Sequence, residues 1–269
     1  MKVKAGGINM NYKLSGEGAC LVLIHGFSDN LTMWYNQAPE FTKQFQVLTY
    51  DVRGHGQTET PEGEFSMDLF ADDLHALLGA LNIERACVLG YYMGGRIGLQ
   101  FALKYSEMVT GLVFANSGVM LPDIQPSPEQ IAEMMERREQ MMDLIETDDI
   151  EAIADAMAER SLSPGFKDKE PATFQRYKEV KLQNDPKPYL PIMQAMTEAM
   201  ANPPDLTQLR CPALIIAGEH DSFMAVDVAS SMEKAIKDAT VKILPTGHAA
   251  AIEAPEEFNK AVLGFMNSL

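Results

Sequence analysis

Several short segments of this chain place chemically capable side chains directly after apolar runs. Leu23-Ile24-His25-Gly26-Phe27 ends one run in His-Gly, where glycine permits a tight turn that leaves backbone amides free to face a ligand. Asp51-Val52-Arg53-Gly54-His55-Gly56 ends a second. In Val88-Leu89-Gly90-Tyr91-Tyr92-Met93-Gly94-Gly95 a third run passes at once into a helical pattern. Gly218-Glu219-His220-Asp221 and Gly247-His248 follow two more. An imidazole exchanges protons near neutral pH, a carboxylate can orient it, and a phenol is a weak nucleophile or a hydrogen-bond donor. Taken singly, His248 is an ordinary capping histidine and Asp221 one loop acid among many. Their common position after apolar runs is what points to a site.

Those runs are Cys20–Ile24, Gln46–Tyr50, Ala86–Gly90, Val109–Ala115, Ala213–Ala217 and Val241–Leu244. Bounded by Gly, Pro and Asp, they suit strands of a parallel sheet covered on both faces. Lys2–Ala5 and Ile8–Leu14 around Gly6-Gly7 form an opening hairpin. Between the runs lie helices: one capped by Ser66 with Phe70, Leu74, Leu77, Leu78 and Leu81 on a single stripe, Met93–Lys104, and a closing Glu256–Met266. The alternation predicts an α/β fold with a doubly wound, mostly parallel sheet. Open sheets of this kind bind ligands outside the carboxyl ends of their strands, where the chemical residues fall.

The alternation breaks between about Pro122 and Pro204, where helical patterns occur without a strand. Ser127-Pro128-Glu129-Gln130 is a helix start, and Ile131, Met134, Met135, Met142 and Ile145 then share a face. Further helices are expected near Glu151–Ser161, Ala172–Asn184 and Tyr189–Ala201. The expected organisation is a core from residues 1–121 and 205–269 with an all-helical cap, 122–204, inserted. Its methionines suit helix packing or an adaptable pocket wall.

A formal net charge of −16 argues against nucleic-acid partners, since a polyanion is repelled. No apolar stretch is long enough for a membrane span and no secretion signal is visible, so a cytoplasmic location is expected. Cys20, Cys87 and Cys211 are isolated, which fits small core residues and no metal. Gly90-x-x-x-Gly94 lacks the Lys-Ser/Thr of a phosphate loop, so no nucleotide cofactor is expected.

In order and spacing these segments resemble the α/β-hydrolases of the esterase, enol-lactonase and carbon–carbon hydrolase branch, over nearly the whole core. In that family the third segment reads Gly-x-Ser-x-Gly, with acid and histidine later in the chain. The resemblance implies Asp221 as triad acid, His248 as base, and the backbone amides of Phe27 and Met93 as oxyanion donors. It implies a small apolar ester-like or carbonyl substrate and no cofactor. Arg53-Gly54-His55-Gly56 matches a structural signature without a catalytic step, and His25 is expected to hydrogen-bond to loops.

The departure is Tyr92, where the family has serine. Gly90 and Gly94 fix the register, and no Ser, Thr or Cys lies between Gly90 and Gly98. A phenol oxygen sits several ångströms beyond a serine hydroxyl, so the ring would fill acyl space and face the oxyanion donors. A bulky residue at positive φ in such a turn also carries roughly 1–3 kcal/mol of strain. One altered position among intact motifs is the pattern of an engineered or inactive variant. Three readings follow: a hydrolase with Tyr92 at the nucleophile position, a non-catalytic binder of a small molecule, and His–Asp general-base chemistry without a nucleophile. The substrate, the oligomeric state and the pocket-lining cap residues are not legible. Met120, Met142, Met193, Met196 and Phe223 are candidates for lining, and Arg137, Arg138, Arg160 and Arg176 for meeting a carboxylate.

Overall fold

The computed structural model describes residues 1–119, 121 and 128–269. β1 (Lys2–Ala5) and β2 (Ile8–Ser15) form the opening hairpin. β3 (Cys20–Ile24), β4 (Gln46–Tyr50), β5 (Ala86–Tyr91), β6 (Val109–Ala115), β7 (Ala213–Gly218) and β8 (Ala239–Leu244) follow. They form one eight-stranded sheet in the order β1-β2-β4-β3-β5-β6-β7-β8, parallel from β4 onward. This is the expected α/β architecture.

The helices are α1 (Ala38–Phe41), α2 (Met67–Ala80), α3 (Met93–Lys104), α4 (Pro128–Glu146), α5 (Ile150–Ser161), α6 (Phe166–Lys169), α7 (Pro171–Lys181), α8 (Tyr189–Ala201), α9 (Val226–Ala235), α10 (Ala250–Glu253) and α11 (Pro255–Met266). Two apolar clusters cover the sheet's faces: α2, α3 and α9 contribute to one, and α10 and α11 to the other. Ser66 caps α2, its Oγ accepting from the Leu69 amide at 3.0 Å. Phe70, Leu74, Leu77 and Leu78 bury the predicted stripe.

Three expectations need correction. The Val241–Leu244 run is not covered on both faces: β8 is an edge strand, and Ile243 is 45% exposed. In α4, Ile131 and Met135 are exposed, while Met141 and Ile145 are buried against α5 and Tyr189. Among the described residues, the N-terminal half of that helix contributes nothing to an apolar cluster, so periodicity alone overstated its packing. The short helices α1 and α6, and the helix α9, carry too little pattern to have been expected. Ser127 and Met120 lie outside the described residues.

Register sets up the site. Ile24 pairs with Tyr50 and with Gly90, Tyr91 with Ala115, Ala115 with Ile216, and Gly218 with Leu244. The strands therefore end together. The segments beginning at His25, Asp51, Tyr92, Asn116, Glu219 and Gly247 all emerge on one edge of the sheet. Five helices, α4 to α8, fill the interval between β6 and β7, with no strand among the described residues.

Candidate active site

Tyr92 occupies a sharp β5-to-α3 turn with φ 49° and ψ −108°, the left-handed strain expected there. Its amide donates to Ala115 O at 3.0 Å, and its carbonyl accepts from Ser117 Oγ at 2.6 Å. The flanking glycines are obligatory. A Cβ at Gly90 would lie 2.1 Å from Gly94 O, and one at Gly94 would lie 2.3 Å from Ile24 O. Backbone crowding, not side-chain packing, therefore fixes the register of the turn.

His248 and Asp221 meet beside it. The His248 Nδ1 lies 2.9 Å from Asp221 Oδ2 and 3.0 Å from Oδ1, with the Asp221 side chain wholly inaccessible. Asp221 also accepts from the Phe223 and Met224 amides at 2.8 and 3.0 Å and from Asn116 Nδ2 at 3.1 Å. Burial pushes its carboxyl up, but His248 and those amide donors outweigh it, leaving the group below the ordinary aspartate value. The arrangement holds an imidazole with Nδ1–H toward a carboxylate. His248 Nε2 is buried and has no partner among the described residues.

The space around the imidazole is aromatic. The Tyr92 ring stands edge-on to it at a centroid distance of 4.7 Å and an interplanar angle of 83°. Phe223 lies at 4.7 Å and Tyr91 at 5.3 Å. Tyr92 is thus drawn to His248 rather than away from it. Burial raises the Tyr92 phenol, partly opposed by Arg96 and Arg160, so it is a neutral hydroxyl at pH 7. Such a group is a poor nucleophile.

The other predicted residues fall as follows. Phe27 and Met93 both sit at the turns beside Tyr92, one after β3 and one opening α3. His25 is structural: Nδ1 meets Gly26 O at 2.8 Å and Nε2 accepts from the Val52 amide at 2.9 Å. Burial lowers its pKa to about 4. Arg53 forms a bidentate ion pair with Asp73 of α2, at 2.7 and 2.6 Å. Of the candidate lining residues, Met196 packs into the main core, Met193 is half-buried, and Phe223 packs on His248. Arg176 stacks on Tyr35 at 3.7 Å. All three cysteines are buried and free, and burial pushes the Cys20 thiol to about 12. Among the described residues no acid, histidine or cysteine cluster could hold a metal, and no helix is long and apolar enough to cross a membrane.

No residue pattern announces the braces on these loops. Lys181, at the end of α7, is buried with its Nζ 2.7 Å from Asp29 Oδ1 and 3.2 Å from Ser28 Oγ. Asn184 donates to Ser28 O at 2.9 Å, and Asn30 donates to Val180 O at 2.7 Å. Together they fasten the segment after Phe27, where Ser28 has φ 64°. On the other side, Glu253 accepts from the Gly247 amide at 2.8 Å and from the Ser163 amide at 3.1 Å, while the Ala249 amide donates to Ser161 O at 2.7 Å. A lysine inside a polar helix face has no sequence signal that separates it from solvated ones.

The profile of the α/β-hydrolase fold matches residues 20–255. The chain belongs to the α/β-hydrolase fold family. This α/β-hydrolase is 28% identical over 261 residues to 3-oxoadipate enol-lactonase 2 of Acinetobacter baylyi, covering 96% of this chain and 93% of that one. It is 28% identical over 273 residues to the 2-hydroxy-6-oxo-6-(2'-aminophenyl)hexa-2,4-dienoic acid hydrolase of Metapseudomonas resinovorans, covering 98% and 90%. Among solved structures, the enol-lactonase of Burkholderia xenovorans superposes with a TM-score of 0.87 at 25% identity, covering 99% of this chain and all of that one. These relatives of the α/β-hydrolase are hydrolases.

Proposed function

We propose that this cleft is the active site of a hydrolase acting on a small ester, lactone or carbon–carbon bond, with Tyr92 standing where the nucleophile belongs. The observation that carries the reading is the His248–Asp221 pair, at 2.9 Å, with a buried, unpartnered Nε2 next to residue 92. An imidazole held by a carboxylate through Nδ1 has its basic lone pair on Nε2, and that is the atom a hydroxyl nucleophile needs. In this reading Phe27 and Met93 supply the oxyanion amides, an effect worth several kcal/mol. Residues 122–204 form the cap and present the substrate.

With serine at position 92, His248 would take the hydroxyl proton as the oxygen attacks the carbonyl. Asp221 would stabilise the imidazolium, the two amides would hold the oxyanion, and water would release the acid. Tyr92 blocks that sequence twice, by holding its oxygen beyond the ring and by packing the ring on the imidazole. A second reading, a non-catalytic binder, draws on that same ring contact. The test is hydrolysis of p-nitrophenyl acetate. The chain should show little or no turnover and Tyr92→Ser clear turnover. Equal rates would remove residue 92 from the mechanism, and no activity in either would support the binder.

A further inference from the structure

The loop after β6 reaches the acid and the base at once. Asn116, its first residue, is fully buried and takes φ 45°, a left-handed conformation that asparagine tolerates better than most residues. Its backbone amide still belongs to the sheet, donating to Ile216 O at 2.8 Å, so the side chain leaves from an anchored backbone. That side chain binds two other loops. Nδ2 donates to Asp221 Oδ2 at 3.1 Å, after β7, and to Gly247 O at 3.2 Å, after β8. Oδ1 accepts from the Ala250 amide at 3.3 Å, just beyond His248. The amide cannot be turned over. Its oxygen would then face a carboxylate and a carbonyl, and its NH2 group an N–H.

The contacts on Asp221 differ between its two oxygens. Oδ1 accepts from the Phe223 and Met224 amides, which belong to the acid's own loop. Those bonds fix the carboxylate within that loop and leave its spacing from the histidine open. Oδ2, the oxygen nearer His248 Nδ1 at 2.9 Å, accepts from Asn116. The two hydrogens of one NH2 group thus hold the acid and the carbonyl immediately before the histidine. The loops also meet through the His220 amide and Thr246 O at 2.9 Å, but that bond precedes both chemical groups and touches neither side chain. An oriented imidazole needs both ends of its contact with the carboxylate to stay in register while the ring takes up and returns a proton.

We propose that Asn116 is a positioning residue that sets the spacing between Asp221 and His248 and so keeps the ring proton on Nδ1. It acts through those two residues by tying the loops after β6, β7 and β8 together at one buried amide. The inference rests on the His248–Asp221 pair being the acid and base of the proposed hydrolase, and it deepens that reading by adding the residue that keeps them aligned.

Asn116→Gly deletes the side chain at a φ that glycine adopts freely. Proton NMR of the intact chain at pH 7.5 should show a downfield His248 Nδ1–H, recognised by its loss in His248→Gln. In Asn116→Gly that proton should exchange with water at least tenfold faster, with a thermal melt showing that the variant folds. In the Tyr92→Ser background the same substitution should lower kcat for p-nitrophenyl acetate at least tenfold and leave KM within twofold, since it removes no contact to substrate. Should Asn116→Gly fail to fold, Asn116→Ala is read in its place. A parent chain without the downfield proton, or a variant exchanging it at the parent's rate, would overturn the positioning role. So would an active Tyr92→Ser chain whose kcat is indifferent to residue 116. Faster exchange in the variant beside an inactive Tyr92→Ser chain would sink the hydrolase reading alone.

Discussion

Replacing Lys181 by Met tests whether the inserted helices hold the loop after Phe27 through charge. The two side chains are 2% and 1% exposed and 2.7 Å apart. At an effective dielectric of about 20, their attraction is on the order of 6 kcal/mol, while burying each ion costs several kcal/mol. The intact pair is therefore close to neutral, but a broken one is not. Lys181→Met strands the Asp29 carboxylate with only the Tyr177 hydroxyl, at a long 3.4 Å. The stranded-charge penalty is about 3–5 kcal/mol. At about 2–4 °C per kcal/mol, the melting temperature should fall by roughly 6–20 °C. Lys181→Met/Asp29→Leu should recover most of that loss. Thermal unfolding followed by circular dichroism reads both. A single variant melting within about 2 °C of the parent, or a double variant as weak as the single, would refute the argument.

Three further outcomes are expected. His25 and His55 are buried with pKa values lowered to about 4 and about 3, so each must stay neutral in the fold. The unfolded chain takes up these protons below about 6.5, so stability is level above that pH and declines as pH falls toward 4. Each histidine accounts for about 2 kcal/mol of loss at pH 5; urea midpoints at pH 7.5 and 5 should differ accordingly, and identical midpoints would contradict the burial. Gly90→Ala should abolish soluble folded protein, because its Cβ meets the Gly94 carbonyl at 2.1 Å; a native-like melt would contradict the turn geometry. In the Tyr92→Ser chain, Asp221→Asn should lower kcat by about 10⁴ with folding intact; a loss under tenfold would remove the carboxylate from the proposed mechanism.

What the sequence made legible follows from what its pattern encodes. Strand runs such as Cys20–Ile24 and Val109–Ala115 are apolar but for Thr110 because both sheet faces are covered, and they agree with the structure to the residue. The Gly90–Gly94 frame was legible because only glycine fits there. The edge position of β8 was not, since a strand's neighbours are set by topology, not by its own residues. Phe223 was equally opaque: it is one of several apolar candidates, the others methionines, and only packing brings it to His248. Lys181 carried no signal because its carboxylate lies 152 residues away in the chain.

The braces from Lys181 to Asp29 and from Ser163 to Glu253 bear on how a molecule reaches His248. A roof bolted at two opposite corners does not swing as a door. α7 is anchored to the β3 loop and the α5–α6 link to the loop before α10, whereas α4 packs on α5 and α8 and shows Ile131 and Met135 to solvent. If these helices roof the proposed site, the α4 side is the one left to loosen. Amide exchange should be slow along α7 and fast along the first half of α4.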